Sequence, residues 1–198
     1  ALPLIICTRA GNVVDAATEQ AVVNDATRSL RHVRSRPETD IPAGGLRHAK
    51  GLASITMVKV GFGISGKGGQ GVVVARNHGE WSGPSFVGTG GAGFGFQIGA
   101  QVTEFVFVLN NDDAVRAFSR DGNVTVGADV SAAAGPVGRD LQAGVAPAAA
   151  IYTYSRSKGL FAGASLEGAV IATQKDSNAR YYGRPVRSGD ILSGRVSP

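Results

Sequence analysis

Glycine recurs, often at alternate positions, along two stretches of this chain, and this pattern limits the folds that the chain can adopt. The first stretch runs from Gly61 to Gly99 and the second from Gly159 to Gly168, within a chain that holds 29 glycines in 198 residues. Successive residues of a β-strand face opposite sides of a sheet, so alternate glycines leave one face almost without side chains. Such a strand can coil sharply and let a second layer approach closely. The pattern predicts a strongly curved, Gly-rich antiparallel β-sheet or a small barrel.

The composition of the chain excludes several other classes of protein. Hydrophobic residues make up 43% of the chain, too many for a disordered protein, and the glycines lack the every-third spacing of collagen. The single cysteine, Cys7, excludes an intramolecular disulfide framework and a multi-cysteine zinc site. No stretch is apolar and continuous enough for a membrane span, and no targeting segment is recognisable. We therefore expect a folded domain without a transmembrane helix.

An amphipathic helix is expected near the N-terminus. The segment from Val13 to about Val33 lacks glycine and proline, and its apolar residues recur in steps of three and four. Asn12 is a suitable N-cap, and Pro37 ends the segment. With short helical turns at Gly44 to Lys50 and Ser188 to Leu192, this helix would pack on the sheet. The predicted fold class is therefore α+β.

The period changes to two from Leu52 onward, which indicates strands. The run Gly66 to Gly71 is interpreted as a hairpin loop that leads into a strand at Val72 to Arg76. Further strands are expected from about Phe94 to Leu109 and at three later segments. These later segments are Val124 to Val130, Ile151 to Arg156 and the region from Leu160 to Thr173, with a short helix capped by Asn110 or Asn111 before them.

The glycine run contains two patterns that resemble nucleotide-binding motifs. Gly61 to Gly66 satisfies G-x-G-x-x-G, and Gly61 to Lys67 satisfies the first seven positions of a P-loop. Position 68 is glycine, however, where a P-loop needs a hydroxyl for magnesium, and the glycines that follow disfavour the helix whose N-terminus would hold phosphate. A nucleotide-binding enzyme that uses this loop is therefore kept only as a remote alternative.

No constellation of catalytic groups is recognisable elsewhere. His32, His48 and His78 are scattered, and the pair Asp112 and Asp113 suits the first turn of a helix. We therefore expect no enzymatic activity, no cofactor and no metal. The formal charge of +5 is distributed with basic ends, since residues 1–60 hold eight Lys/Arg against five Asp/Glu and residues 151–198 hold seven against three. Such ends suit an anionic partner.

Several longer motifs occur together in a fixed order. They are Ala49-Lys50-Gly51-Leu52-Ala53, Gly69-Gln70-Gly71-Val72-Val73-Val74-Ala75-Arg76, Trp81-Ser82-Gly83-Pro84-Ser85, Gln97-Ile98-Gly99-Ala100, Ala132-Ala133-Ala134-Gly135-Pro136-Val137-Gly138-Arg139, Tyr154-Ser155-Arg156-Ser157-Lys158-Gly159-Leu160-Phe161-Ala162-Gly163-Ala164-Ser165-Leu166-Glu167-Gly168, Tyr181-Tyr182-Gly183 and Asp190-Ile191-Leu192. In this combination the chain resembles the SYLF domain, a phosphoinositide- and actin-binding module of yeast, plant and vertebrate endocytic proteins. The likeness covers about residues 40 to 195.

The resemblance implies a non-enzymatic lipid-binding domain that acts as a peripheral membrane module in endocytosis or membrane trafficking. It implies phosphoinositides as partners, actin filaments as a second partner and no nucleic acid. The implied location is cytoplasmic, at endosomal membranes or cortical actin sites. An actin-filament binding or bundling module is the alternative function. The implied organisation is an N-terminal extension with the amphipathic helix at residues 1–40 and a SYLF-like lipid-binding domain at residues 41–198.

Candidate headgroup ligands are the cations near the motifs, because lysine and arginine are the side chains that meet phosphates. Lys67 would reach a phosphate from the hairpin while the N–H groups of Gly68 and Gly69 form a nest. The remaining candidates are Lys50, Arg139, Arg156 and Lys158, with Arg180, Arg184 and Arg187 as a second cluster.

The N-terminal helix matches the family least well. Vertebrate and yeast relatives are lysine-rich in this region, whereas this chain carries Asp15, Glu19 and Asp25 there and has arginines only at the end of the helix. We therefore expect the apolar stripe of the helix to pack on the sheet rather than insert into a membrane.

Overall fold

The structure is a computed structural model that describes residues 18–32, 41–135, 149–158 and 170–197. Helices and strands alternate irregularly along these residues, and the α+β class predicted above is confirmed. In chain order the elements are α1 (18–32), α2 (Ala43–His48), β1 (Gly51–Asn77), β2 (Glu80–Trp81), β3 (Ser85–Leu109), α3 (Asp112–Ser119), β4 (Asn123–Thr125), β5 (Ala132–Ala134), β6 (Ile151–Lys158), β7 (Val170–Thr173), α4 (Lys175–Tyr182) and α5 (Ser188–Leu192).

A long antiparallel ribbon of β1 and β3 forms the centre of the sheet. Its register runs from the pair Gly51 and Leu109 to the pair Val73 and Ser85, with one irregularity between Phe62 and Ile64. The sheet order is β2-β1-β3-β6-β5, while β7 pairs with β3 and with β4. The pairing is antiparallel except for the three-residue pair of β5 with β6, which is parallel. The sheet is therefore mixed, with the predicted antiparallel pairing throughout its centre.

Strand β1 curls until its two ends meet. Fully extended, its 27 residues would span about 90 Å. Yet the backbone N–H of Arg76 donates a hydrogen bond of 2.8 Å to the carbonyl oxygen of Lys50, directly before the first residue of the strand. The sheet thus has the curled, half-barrel form that the glycine pattern predicts.

Glycine makes this close approach possible, as two positions in the second half of β1 show. A Cβ atom on Gly71 would overlap the carbonyl oxygen of Ser54, and one on Gly69 would lie 3.0 Å from the carbonyl oxygen of Thr56. The neighbours are backbone atoms of the same strand and cannot rotate away. A residue with a side chain at position 71 is therefore incompatible with the curl as it stands.

The predicted hairpin loop at Gly66–Gly71 is wrong. These residues lie inside β1, where Gly68 is paired with Gly90 and Gly69 with Thr89. The actual turn comes later, at His78 and Gly79, whose φ angles of 49° and 89° close a two-residue hairpin between β1 and β2. The clustered glycines serve the non-local contact with Ser54 rather than a turn.

The buried side chains fall into one large and two smaller clusters. The large cluster fills the inside of the curl, where Ile55, Phe107 and Ile151 are fully buried and α3 contributes Phe118. On the outside, Val22 and Ala26 of α1 pack on Val72 and Phe86. Further along α1, Leu30 packs on a cluster that includes Val106 and Tyr152. The expectation that the apolar stripe of the N-terminal helix packs on the sheet is thus confirmed.

The remaining local predictions have mixed outcomes. Asn111 caps α3 by accepting a hydrogen bond of 2.9 Å from the N–H of Ala114, and α5 occupies the predicted segment. Helix α4, by contrast, was not predicted. Between β4 and Val130, residues 127–129 form a turn rather than a strand. The proposed N-cap Asn12, the terminator Pro37 and residues 160–169 of a predicted strand lie outside the described residues.

Candidate functional site

The meeting of the two ends of β1 creates a cationic and aromatic surface. We call the side chains of Arg47, Lys50, Arg76 and Trp81 the basic corner. The guanidinium of Arg76 lies 4.5 Å from the ring centroid of Trp81, close enough for a cation–π interaction. The backbone contact between Arg76 and Lys50 places the backbone of a second cation beside this pair. Three positive groups and one indole therefore share one end of the sheet.

Local structure explains why Arg76 holds this position. Helix α2 ends at His48, and the carbonyl groups of its last turn have no partner within the helix. The guanidinium of Arg76 donates hydrogen bonds to two of them, at 2.5 Å from the oxygen of Arg47 and 3.2 Å from that of Leu46. Arg76 thus joins α2 to the edge of the sheet.

Trp81 owes its exposure to the tight hairpin after β1. The two-residue turn places Trp81 directly opposite Arg76 in register, on the edge strand β2. Its side chain is 42% exposed, an unusual state for the largest apolar side chain. A groove of about 360 Å³ beside it is lined by Trp81 together with polar and small residues of β2 and the C-terminal segment. The part of the indole that Arg76 does not cover is therefore available to a partner.

The charges of the corner are not neutralised locally. Arg47 and Lys50 are exposed, and within the described ranges neither of them forms an ion pair. Of this group, only Lys50 is among the headgroup ligands predicted from the sequence. Arg76 and Trp81 stand in the family motifs, but nothing in the sequence indicates that their side chains touch.

The other predicted headgroup ligands are dispersed. Lys67 is exposed on β1 next to Gly68 and Gly69, nine positions before Arg76 in a strand rather than on a loop. Arg184 is exposed after α4. Arg156 and Lys158 are described only by their backbone, which pairs with Glu104 and Val102 of β3. Arg139 lies outside the described residues. Among the described side chains, neither Lys67 nor Arg184 belongs to the group around Lys50.

Two predicted ligands are engaged with carboxylates. Arg180 donates to a single oxygen of the buried Glu19 through its Nε and Nη2 atoms, at 3.0 and 2.8 Å, and so ties α4 to α1. The Nε atom of Arg187 lies 3.2 Å from a carboxylate oxygen of Asp121. Both arginines stabilise the fold by these contacts, and a phosphate would have to compete for them.

Asp121 also accepts a hydrogen bond from the first backbone N–H of α5. The backbone N–H of Ser188 donates to its Oδ1 atom at 2.9 Å. Burial alone would raise the pKa of the Asp121 carboxyl, but this hydrogen bond and the side chain of Arg187 together hold the pKa below its usual value. Asp121 is therefore a charged structural group at the N-terminus of α5, where a negative charge is favourable.

A second concave surface lies between α1 and β1. This groove has a volume of about 430 Å³, and α1 contributes Val22, Asp25 and Ala26 to its lining. The strand contributes residues from both of its halves, among them Ser54, Thr56, Gly68 and Gln70. None of the predicted cations lines this groove within the described part of the chain, although Gly68 and Gly69 do.

Two kinds of feature are absent from the described residues. No group of three or more His, Cys, Asp or Glu side chains there could hold a metal ion. No described helix is long and apolar enough to cross a membrane.

Comparison with known proteins identifies the domain as one of the SYLF class. Residues 90–198 match the Ysc84 family, whose description is "Las17-binding protein actin regulator". The human SH3 domain-containing YSC84-like protein 1 is 46% identical over 164 residues, which is 81% of this chain and 48% of the relative. LAS seventeen-binding protein 3 of Saccharomyces cerevisiae is 47% identical over 163 residues, 80% of this chain and 36% of the relative. This chain belongs to the Ysc84 family.

The match covers only part of each relative. Protein YSC84 of Saccharomyces cerevisiae, 48% identical over 161 residues, is covered over 34% of its length. The chain therefore spans about half of the length of the human relative and about a third of the yeast ones.

Proposed function

We propose that this chain is a non-enzymatic domain that binds the anionic headgroups of phosphoinositide-containing membranes as a peripheral module on the cytoplasmic side. The observation that supports this most strongly is the basic corner. Arg76 lies over a half-exposed indole there, and its backbone neighbours Arg47 and Lys50 are exposed cations that have no carboxylate partner within the described residues. Cations attract the anionic headgroups of a membrane, and an indole binds at the membrane interface.

The physical argument has two parts. Each lysine or arginine near an anionic membrane surface contributes about 1 kcal/mol to binding. An indole ring prefers the boundary between headgroups and acyl chains, where its apolar body is covered and its N–H finds a partner. Arg47 and Lys50 supply the charge and Trp81 supplies the anchor. Because Arg76 is held by α2, the corner is organised before a membrane arrives.

The headgroup ligands predicted from the sequence are expected to contribute unequally to membrane binding. Lys50 belongs to the corner itself. Lys67 and Arg184 are exposed and free of ion pairs within the described residues, so they can add long-range attraction. Arg180 and Arg187 are already paired with carboxylates, and their contribution is expected to be small. Headgroup binding by Arg139, Arg156 and Lys158 remains a prediction.

Vesicle sedimentation tests the proposal. Phosphatidylcholine vesicles with a few per cent phosphoinositide should sediment the domain, and binding should weaken as salt is raised. Each of Arg47→Ala and Lys50→Ala should weaken binding about fivefold, the equivalent of about 1 kcal/mol. Lys175→Ala, which removes from α4 an exposed charge that forms no ion pair within the described residues, is the matched control and should leave binding nearly unchanged. Equal sedimentation with pure phosphatidylcholine would contradict the proposal.

A second function, regulation or bundling of actin filaments, is supported by the family description and by the names of the yeast relatives. The exposed cations would meet acidic protein surfaces by the same long-range attraction. Co-sedimentation with purified filaments at physiological salt tests this function. If Lys50→Ala weakens filament binding and vesicle binding equally, one surface serves both partners, whereas filament binding that survives the substitution requires a different surface.

A further inference from the structure

The groove between α1 and β1 contains a buried hydroxyl group that has no partner within the described residues. The side chain of Ser54 lines the groove, the residue is only 3% exposed, and its Oγ forms no hydrogen bond in the described part of the chain. A buried polar atom without a partner is unfavourable, and native structures usually supply a partner from the protein, from water or from a ligand. The groove is thus a place where a hydrogen-bonding molecule would be stabilised.

The volume and shape of the groove suit a small molecule. Its volume of about 430 Å³ lies in the range of small-molecule sites. A Cβ atom on Gly68 would meet no atom within 4 Å, so the strand backbone leaves open space there. Gly68 shares its face of β1 with Val72, which packs on α1, so this space lies on the α1 side of the strand.

The charges around the groove are balanced. Asp25 is the only charged side chain among its described lining residues, and it is paired with Arg28 at 3.1 Å. In a smaller adjoining groove that shares Val22 and Gln70, the carboxylate of Glu19 is paired with Arg180. The described lining residues of the groove therefore include no cation that could hold a phosphate, and the carboxylates of Asp25 and Glu19 already have partners. This lining favours an uncharged ligand.

The lining combines two kinds of group. Hydroxyls of Ser54 and Thr56 and the amide of Gln70 both donate and accept hydrogen bonds. Val22, Ala26 and Val58 add aliphatic surface beside them. A ring that carries hydroxyls at its rim and C–H groups on its faces meets both requirements at once. We propose that the groove between α1 and β1 binds a small cyclic polyol, such as an inositol or a hexose.

This proposal is independent of the basic corner, because the two sets of lining residues have no member in common. The polyol has two possible sources, a free molecule or the ring of a lipid headgroup. The chemistry at Ser54 is the same for both, and the experiment separates them.

Titration of the labelled domain with myo-inositol and with glucose, followed by amide NMR, tests the site directly. Shifts should concentrate at Ser54, Thr56 and Gly68 to Gln70. Gly68→Val, which fills the open space, should weaken binding at least tenfold, and Ser54→Ala several-fold. Gly66→Val is the matched control, because position 66 is equally open but lies outside the lining, and it should bind like the wild type. Absence of localised shifts with both polyols at tens of millimolar would overturn the proposal.

Vesicles of equal charge distinguish the two sources. Phosphatidylinositol and phosphatidylserine carry the same net charge, so the basic corner should bind both alike. Stronger binding to phosphatidylinositol that Gly68→Val abolishes assigns the site to the lipid headgroup, and equal binding assigns it to free polyols. If neither vesicle binds while myo-inositol still shifts Ser54, the membrane proposal fails and the polyol site stands.

Discussion

The backbone N–H of Arg76 is hydrogen-bonded to the carbonyl oxygen of Lys50 at 2.8 Å, so residues at opposite ends of one long strand are neighbours. This contact requires β1 to curl back on itself, and the curl depends on glycine at positions such as Gly71. The same contact brings Lys50 beside the arginine that stacks on Trp81. The glycine pattern therefore acts on function indirectly, because it assembles the basic corner from distant parts of the sequence.

Replacing Gly71 by alanine should destabilise the domain strongly. The new Cβ would overlap the backbone at Ser54 and Ile55, and backbone atoms cannot move aside as a side chain would. We expect the free energy of unfolding to fall by about 3 kcal/mol or more, at the upper end of overpacking effects. Urea denaturation followed by circular dichroism measures this change.

Gly68→Ala is the control for this prediction. Position 68 has no atom within 4 Å of a Cβ and its φ is not in the left-handed region. The substitution should be neutral or stabilise the protein by up to about 1 kcal/mol, since it reduces the freedom of the unfolded chain. If Gly71→Ala and Gly68→Ala had the same effect, the close approach of the two halves of β1 would not be what requires glycine.

The curvature could be predicted from the sequence because it follows from a local pattern. Alternate glycines in a period-two segment remove one row of side chains, and both the curled sheet and the α+β class follow. The hairpin at Gly66–Gly71 was predicted wrongly for a related reason. A cluster of glycines is typical of turns, and only the distant backbone of Ser54 reveals that they serve a close contact instead.

Helix α4 and the basic corner were missed because non-local contacts determine them. The α4 sequence has no apolar stripe. Its buried Asn178 is held in place by a hydrogen bond of 2.8 Å that its Oδ1 accepts from the backbone N–H of Phe86. Gly183, in the left-handed region at φ 70°, is a helix-ending signal that could have been recognised. The contact of Arg76 with Trp81, by contrast, depends on the turn at His78 and Gly79, whereas the glycine cluster predicts a turn at Gly66–Gly71.

The ion pair between Glu19 and Arg180 should control how firmly α1 is docked. Glu19 is 5% exposed, so removal of its partner leaves a buried charge uncompensated. Arg180→Gln should lower the free energy of unfolding by about 1 to 3 kcal/mol, less than for a fully buried pair because Arg180 is partly exposed. Hydrogen exchange should show faster exchange of the α1 amides.

A double-mutant cycle with Glu19→Gln isolates this interaction. The double variant should recover part of the loss, because two neutral amides leave no buried charge. Additive effects of the two substitutions would show that the carboxylate and the guanidinium do not stabilise each other.

Asp121 should make the stability of the domain depend on acid pH. Its pKa is held below the usual value in the folded state, so its contribution is complete above the unfolded pKa of about 4 and is lost as the pH falls through the folded pKa. Asp121→Asn keeps an acceptor for the N–H of Ser188 but has no charge to titrate. At neutral pH the variant should be less stable than the wild type by about 1 to 2 kcal/mol.

Thermal unfolding of both proteins between pH 7 and pH 2 tests this dependence. The difference between wild type and Asp121→Asn should shrink as the pH falls below about 4. A difference that stayed constant across the range would show that the Asp121 charge has no role in stability.

Trp81 should report membrane binding directly, since it is the single tryptophan of the chain. Its ring is 42% exposed beside Arg76, and transfer to the membrane interface should shift its fluorescence emission to shorter wavelength. The shift should appear with phosphoinositide vesicles and not with phosphatidylcholine alone. Lys50→Ala should displace the titration to about fivefold more lipid without changing the final shift, because the charge attracts the membrane while the indole anchors in it. An emission spectrum that stays constant while the domain sediments with vesicles would exclude the basic corner as the contact surface.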